Sequence, residues 1–152
     1  MTDQSDAVEE MDDLLRSLIN TLIDGQEGYR TIGQDLKDDE VKRFFLAESV
    51  TRAAFQAQLE GLLHQIDIQD VDESGTVVGT VHRTWGDIKA RLGGSDHTLL
   101  ETAEQGEKVA VHAYAQALEK ELVLPIRRVL LKQHAHVLES YDYVKAMRKA
   151  AE

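Results

Sequence analysis

Residues 67–95 read DIQDVDESGTVVGTVHRTWGDIKARLGGS, and how this stretch divides decides the fold. Residues 67–76 are acidic and carry turn formers, the composition of a loop. From there Val78, Val81, Trp85 and Ile88 fall on one side of a short helix over residues 77–92, stopped by Gly93-Gly94. About 16 helical residues at ~1.5 Å each span ~24 Å, enough to carry the chain most of the way along a helical bundle. The stretch predicts a long crossover, not a tight turn.

Long helices flank it. The chain has one proline, 5% aromatic residues and much Ala, Leu, Glu, Gln, Lys and Arg, the strong helix formers. A first helix over about residues 6–36 carries the seam Leu15, Leu18/Ile19, Leu22, Gln26, Tyr29, Gly33 and Leu36. Lys37-Asp38-Asp39-Glu40 is a polar break whose acids suit the positive end of a second helix, over about residues 39–66. That helix carries Val41, Phe44/Phe45, Glu48, Thr51/Arg52, Phe55, Leu59, Leu62 and Ile66. Ser95 or Asp96 caps a third long helix reaching about residue 121, with Leu99/Leu100, Ala103, Glu107, Ala110/Val111, Tyr114 and Ala117/Leu118. Pro125 opens a fourth, where its missing N–H is tolerated; Ile126, Val129/Leu130, Gln133, Val137, Ser140/Tyr141, Val144 and Met147 follow.

The links after the first and third long helices are short, so each pair forms an antiparallel hairpin. One long crossover between two hairpins is the ferritin-like arrangement. The expected fold is all-α: a ferritin-like four-helix bundle whose crossover contains a short fifth helix. It forms a single domain over residues 1–152, with a core from about 8 to 148 behind a short flexible N-terminus.

Composition narrows the function classes. With 17 Lys and Arg against 28 Asp and Glu, the formal charge is −11, which repels nucleic-acid backbones and anionic membrane surfaces. No apolar run approaches the ~18 residues of a membrane span. The absence of cysteine excludes disulfides, thiolate metal sites and thiol catalysis. The acidic N-terminus lacks the pattern of a secretory signal, so a cytoplasmic location is expected.

Each seam is interrupted near its middle: Gln26 and Glu27, Glu48 with Thr51 and Arg52, Glu104 and Glu107, Gln133 with Tyr141. At ~1.5 Å per residue, Glu27, Glu48 and Glu107 come to one height within a helical turn. Clustered carboxylates need compensation, because like charges and desolvation both raise their pKa. A di-iron or di-manganese pair supplies it in bundles that use Glu-x-x-His motifs, and this sequence contains none. The metal reading thus has Glu27, Glu48, Glu104 and Glu107 as ligands but lacks the imidazoles. The competing reading is structural. Glu48 and Arg52 have the i, i+4 spacing of a salt bridge, and Arg52 can also neutralise Glu27 across the hairpin.

Other residues read as architecture. Gly25, Gly28 and Gly33 inside the first helix indicate close packing of a neighbouring helix or a break near Gly25, with space beside the polar layer as the functional alternative. Trp85 anchors the crossover to the bundle. His134 and His136, two apart, point to nearly opposite sides and read as surface or edge residues. Tyr114, Tyr141 and Tyr143 read as core or rim.

Particular strings are also familiar: Leu22-Ile23-Asp24-Gly25-Gln26-Glu27-Gly28-Tyr29; Arg52-Ala53-Ala54-Phe55 with Leu59; Gly75-Thr76-Val77-Val78-Gly79-Thr80-Val81-His82-Arg83 with Trp85; and Glu104-Gln105-Gly106-Glu107 with Tyr114 and Ala117-Leu118. Over about residues 14–148 the chain resembles a bacterial family of four-helix-bundle proteins of unknown function, grouped with the ferritin-like superfamily. The resemblance implies the fold, and sets Glu27, Glu104 and Glu107 where ferritin-like relatives place helix carboxylates. Gln58 stands where an acid is expected and Tyr141-Asp142 where a His-Asp pair is expected, which removes two potential ligands.

Two functional readings follow. One is a non-enzymatic helical protein, stress-associated or acting through self-assembly or a protein partner. The other is a carboxylate-bridged di-metal protein, an iron- or manganese-binding protein or oxidoreductase with its site at the bundle waist. The missing motifs lean away from an enzyme. A homodimer is compatible with a bundle of this kind, although no stripe read from the sequence compels it.

Overall fold

The computed structural model describes residues 3–65, Trp85 and residues 92–152. Among these residues the fold is all-helical: α1 (Asp3–Asp35), α2 (Asp39–Gln65), α3 (Asp96–Leu118) and α4 (Leu124–Ala150). Helix α1 begins three residues earlier than its apolar pattern indicates, and α3 ends short of residue 121. The expected helix over residues 77–92 lies outside the described residues, save Trp85 and Leu92.

Local chemistry sets the boundaries. The Asp38 carboxylate accepts the N–H of Val41 at 3.0 Å, capping α2, and Asp39 and Glu40 complement its first turn. Ser95 caps α3 by accepting the N–H of Thr98. Pro125 sits in the first turn of α4, and Arg148 and Lys149 occupy its last. The Asp96 carboxylate also reaches across the bundle end, accepting the N–H groups of Lys37 and Asp38 at 2.9 and 3.0 Å. The start of α3 is thereby tied to the α1–α2 turn.

Among the described residues two apolar clusters make the core. One gathers Leu15, Leu22, Leu59, Tyr114, Leu130 and Val137; the other gathers Tyr29, Phe45, Trp85, Leu99, Ala103 and Val144. Following each helix from one cluster to the other gives its direction. Helices α1 and α4 run one way, and α2 and α3 run the other. Gln65 and Asp96 therefore lie at opposite ends of the bundle, although they bound the same connection.

The glycines of α1 leave its helix unbroken and admit neighbours. A Cβ at Gly33 would lie 3.1 Å from the Phe45 Cβ, and one at Gly25 would lie 3.1 Å from an Arg52 guanidinium nitrogen. Gly28 on α1 and Gly106 on α3 together hold Trp85: added Cβ atoms would fall 2.4 and 2.5 Å from its ring. The ring is buried, and Tyr29 meets it edge-on with centroids 5.3 Å apart. Burying about 150–250 Å² of indole contributes about 4–6 kcal/mol at ~25 cal/mol per Å².

Candidate functional site: a buried ion-pair hub

Between the two apolar clusters each helix contributes polar or small residues: Asp24 and Gly25 on α1, Glu48 and Arg52 on α2, Gly106 and Glu107 on α3, Ser140 on α4. Arg52 and Glu107 are both fully buried (0% exposed). The Arg52 Nη1 and Nη2 groups donate to Oε1 and Oε2 of Glu107 at 2.8 and 2.6 Å, a bidentate pair. Its Nε donates to Glu48 Oε2 at 2.9 Å, one helical turn back on its own helix. One guanidinium thus holds two carboxylates.

Neutral donors complete the arrangement. The Tyr29 hydroxyl donates to Glu107 Oε2 at 2.8 Å and the Ser140 hydroxyl donates to the same oxygen at 2.6 Å. Ser140 Oγ in turn accepts from Arg52 Nη2 at 2.7 Å. At the rim His136 meets Glu48 Oε2 at 2.8 Å, and since a carboxylate only accepts, the imidazole proton sits on Nε2. His136 is part-exposed, so this contact is where the hub meets solvent.

Charge and burial shape the acid–base behaviour. Burial would lower the Arg52 pKa, but the Glu107 carboxylate and Tyr29 outweigh it and hold the guanidinium above its ordinary value. Burial first, and then the negative charge of Glu107, push the Tyr29 phenol well above its ordinary value of 10.0. Tyr114, one layer along, is raised by burial too; its hydroxyl donates to Gln133 Oε1 at 2.7 Å.

The four carboxylates read from the sequence do not share one centre. Glu48 and Glu107 meet at Arg52. Glu104, one turn before Glu107, pairs instead with Arg148 of α4. The Glu27 side chain is 39% exposed, with Arg30 3.9 Å away. Arg52 neutralises Glu107 across the bundle, where the sequence suggested Glu27. Among the described residues, no three His, Cys, Asp or Glu side chains converge as a metal site. Gln58 accepts from Gln133 Nε2 at 2.9 Å, joining α2 to α4 where an acid was expected.

Sequence reasoning placed Tyr29 only on a seam, and His136 at an edge. The signal for His136 is its position, three residues after Gln133 and four before Ser140, which sets it beside the buried face of α4.

Among the described residues, fold and site define an all-helical protein of four helices with a polar layer held together by an arginine. The chain belongs to a family described as a domain of unknown function (DUF2383), whose model matches residues 10–120. That span carries Tyr29, Glu48, Arg52 and Glu107, while His136 and Ser140 come from α4 beyond it. No curated protein matches the chain. Among the described residues no helix is long and apolar enough to cross a membrane.

Proposed function

We propose that this is a non-enzymatic bundle protein that acts by association, with itself or with a protein partner, on a ferritin-like scaffold. One observation favours this reading over a metal centre. The cation that compensates the waist carboxylates is Arg52, bound through three nitrogens to Glu48 and Glu107. The polar layer then works as a register device, because a slide of one helical residue, ~1.5 Å, breaks its short contacts. Parallel α2 and α3, with their connection spanning opposite ends of the bundle, support the ferritin-like placement.

The di-metal alternative draws support from the convergence of Glu48 and Glu107, with His136 on Glu48. Its donor set does not fit a two-metal centre: the guanidinium fills the space between the carboxylates, and Glu27 and Glu104 face Arg30 and Arg148. Anaerobic titration of the protein with Fe(II) or Mn(II), followed by thermal unfolding, separates the readings. The proposal expects no stoichiometric binding and an unchanged melting temperature, since a ligand that prefers the native state must stabilise it. About two ions per chain, lost in Glu107→Ala, would establish the metal reading.

A further inference from the structure

Helix α4 leaves an apolar ridge uncovered. Leu124, Leu131 and Leu138 are spaced by seven residues, lie nearly opposite its buried face, and are 57%, 48% and 38% exposed. Along one side of the ridge run exposed Arg128, Lys132 and Glu139, an edge with a net positive charge. Isolated surface leucines need no explanation, but three in one row with basic neighbours form a patch.

A complementary surface lies between α1 and α3. Two openings of about 270 and 290 Å³ share Asp13, Leu14 and Lys120, so they join into one groove. Its floor is apolar, with Met11, Leu14 and Leu18 facing Ala113, Ala117 and Leu122. Glu10, Asp13 and Glu121 outnumber Lys120 along its edge. From Ala7 to Leu18 the groove follows α1 for ~16 Å, and the three leucines of the ridge span ~21 Å.

We propose that one copy of the chain seats its α4 ridge in the α1–α3 groove of a second copy. The inference rests on the reading that the protein acts by association, and it names the surfaces. Ridge meets groove, base meets acid, and the lengths match within a helical turn. Pairing two ridges would set convex faces together and leave both grooves open. The contact is heterologous, so every copy keeps a free ridge or groove until a ring closes or a chain of copies grows. One helix edge in a groove buries less than the ~1,600 Å² of a standard interface, so association is weak and falls with salt.

Sedimentation velocity on the full chain over a wide concentration range tests this. Wild type is expected to grow past a dimer as concentration rises. Leu131→Asp spoils the ridge and Glu10→Lys/Asp13→Lys spoils the groove, all at exposed positions, and each protein alone should stay monomeric. An equimolar mixture should give a 1:1 complex and nothing larger, because each component retains one sound surface. Reversing both sides in one chain, with Arg128→Glu/Lys132→Glu added to the groove changes, should restore assembly. A mixture that remains monomeric overturns the proposal. Self-association indifferent to all these variants overturns the surfaces while leaving the associative reading standing. A wild type that is monomeric throughout removes self-assembly altogether and leaves only a different protein as partner.

Discussion

Arg52 and Glu107, 55 positions apart in sequence, join α2 to α3 across the diagonal of the bundle through two parallel hydrogen bonds. These helices belong to different hairpins, so the pair fixes the height of one hairpin against the other. Apolar packing above and below tolerates small slides; a bidentate pair with Tyr29 and Ser140 on the same carboxylate does not. On the proposed reading the layer contributes specificity of register more than net stability, since desolvating buried charges offsets much of their attraction.

Alkaline pH should weaken the fold through Tyr29. Burial and Glu107 raise its phenol pKa above the ordinary 10.0, so the folded state keeps this proton where the unfolded chain releases it. The associated stability is complete below about pH 10 and is lost as pH rises towards the folded-state value. Urea unfolding at stepped pH should show wild type losing stability above about pH 10 more steeply than Tyr29→Phe. At neutral pH that variant should cost about 1–2 kcal/mol for the lost donor.

The Trp85 cradle predicts a strong coupling. Trp85→Ala should cost about 3–5 kcal/mol. Gly28→Ala, whose methyl would fall 2.4 Å from the ring, should also destabilise the wild-type background, by about 1–3 kcal/mol. In a Trp85→Ala background the ring atoms nearest that methyl are gone, so denaturation of the double variant should give clearly less than the sum. Additive effects would show that the indole does not occupy the glycine-lined space.

At the bundle end, Asp96→Ala removes the acceptor of two backbone N–H groups at the α1–α2 turn. A loss of about 1–2 kcal/mol is expected, with faster amide exchange at Lys37 and Asp38. Asp96→Asn, which keeps one acceptor oxygen, should recover part of it.

Much of the fold was legible because its signals are local. The seams, Asp38-Asp39, Ser95 and Pro125 place the helix ends within a few residues, and the interior glycines with Trp85 announce close packing. Height along the bundle was legible too, since the rise per residue is fixed, and Glu48 and Glu107 do share a layer. Azimuth was not. Glu104 and Glu107 differ by about 60° around α3, enough to send one to Arg148 and the other to Arg52. Glu27 stands about 100° from Gln26 on the seam and turns outwards. The sequence also left Arg52 a choice of carboxylates, and only the relative placement of the hairpins selects Glu107.

The most direct measurement compares the equilibrium unfolding of Arg52→Met with that of Glu48→Met/Arg52→Met/Glu107→Leu. If Arg52 is the cation that makes the waist tenable, the single variant leaves two buried carboxylates uncompensated and should lose about 3–5 kcal/mol, while the apolar triple should regain most or all of it. An Arg52→Met protein within about 1 kcal/mol of wild type would contradict the account, since a surface-type pair is worth no more than that.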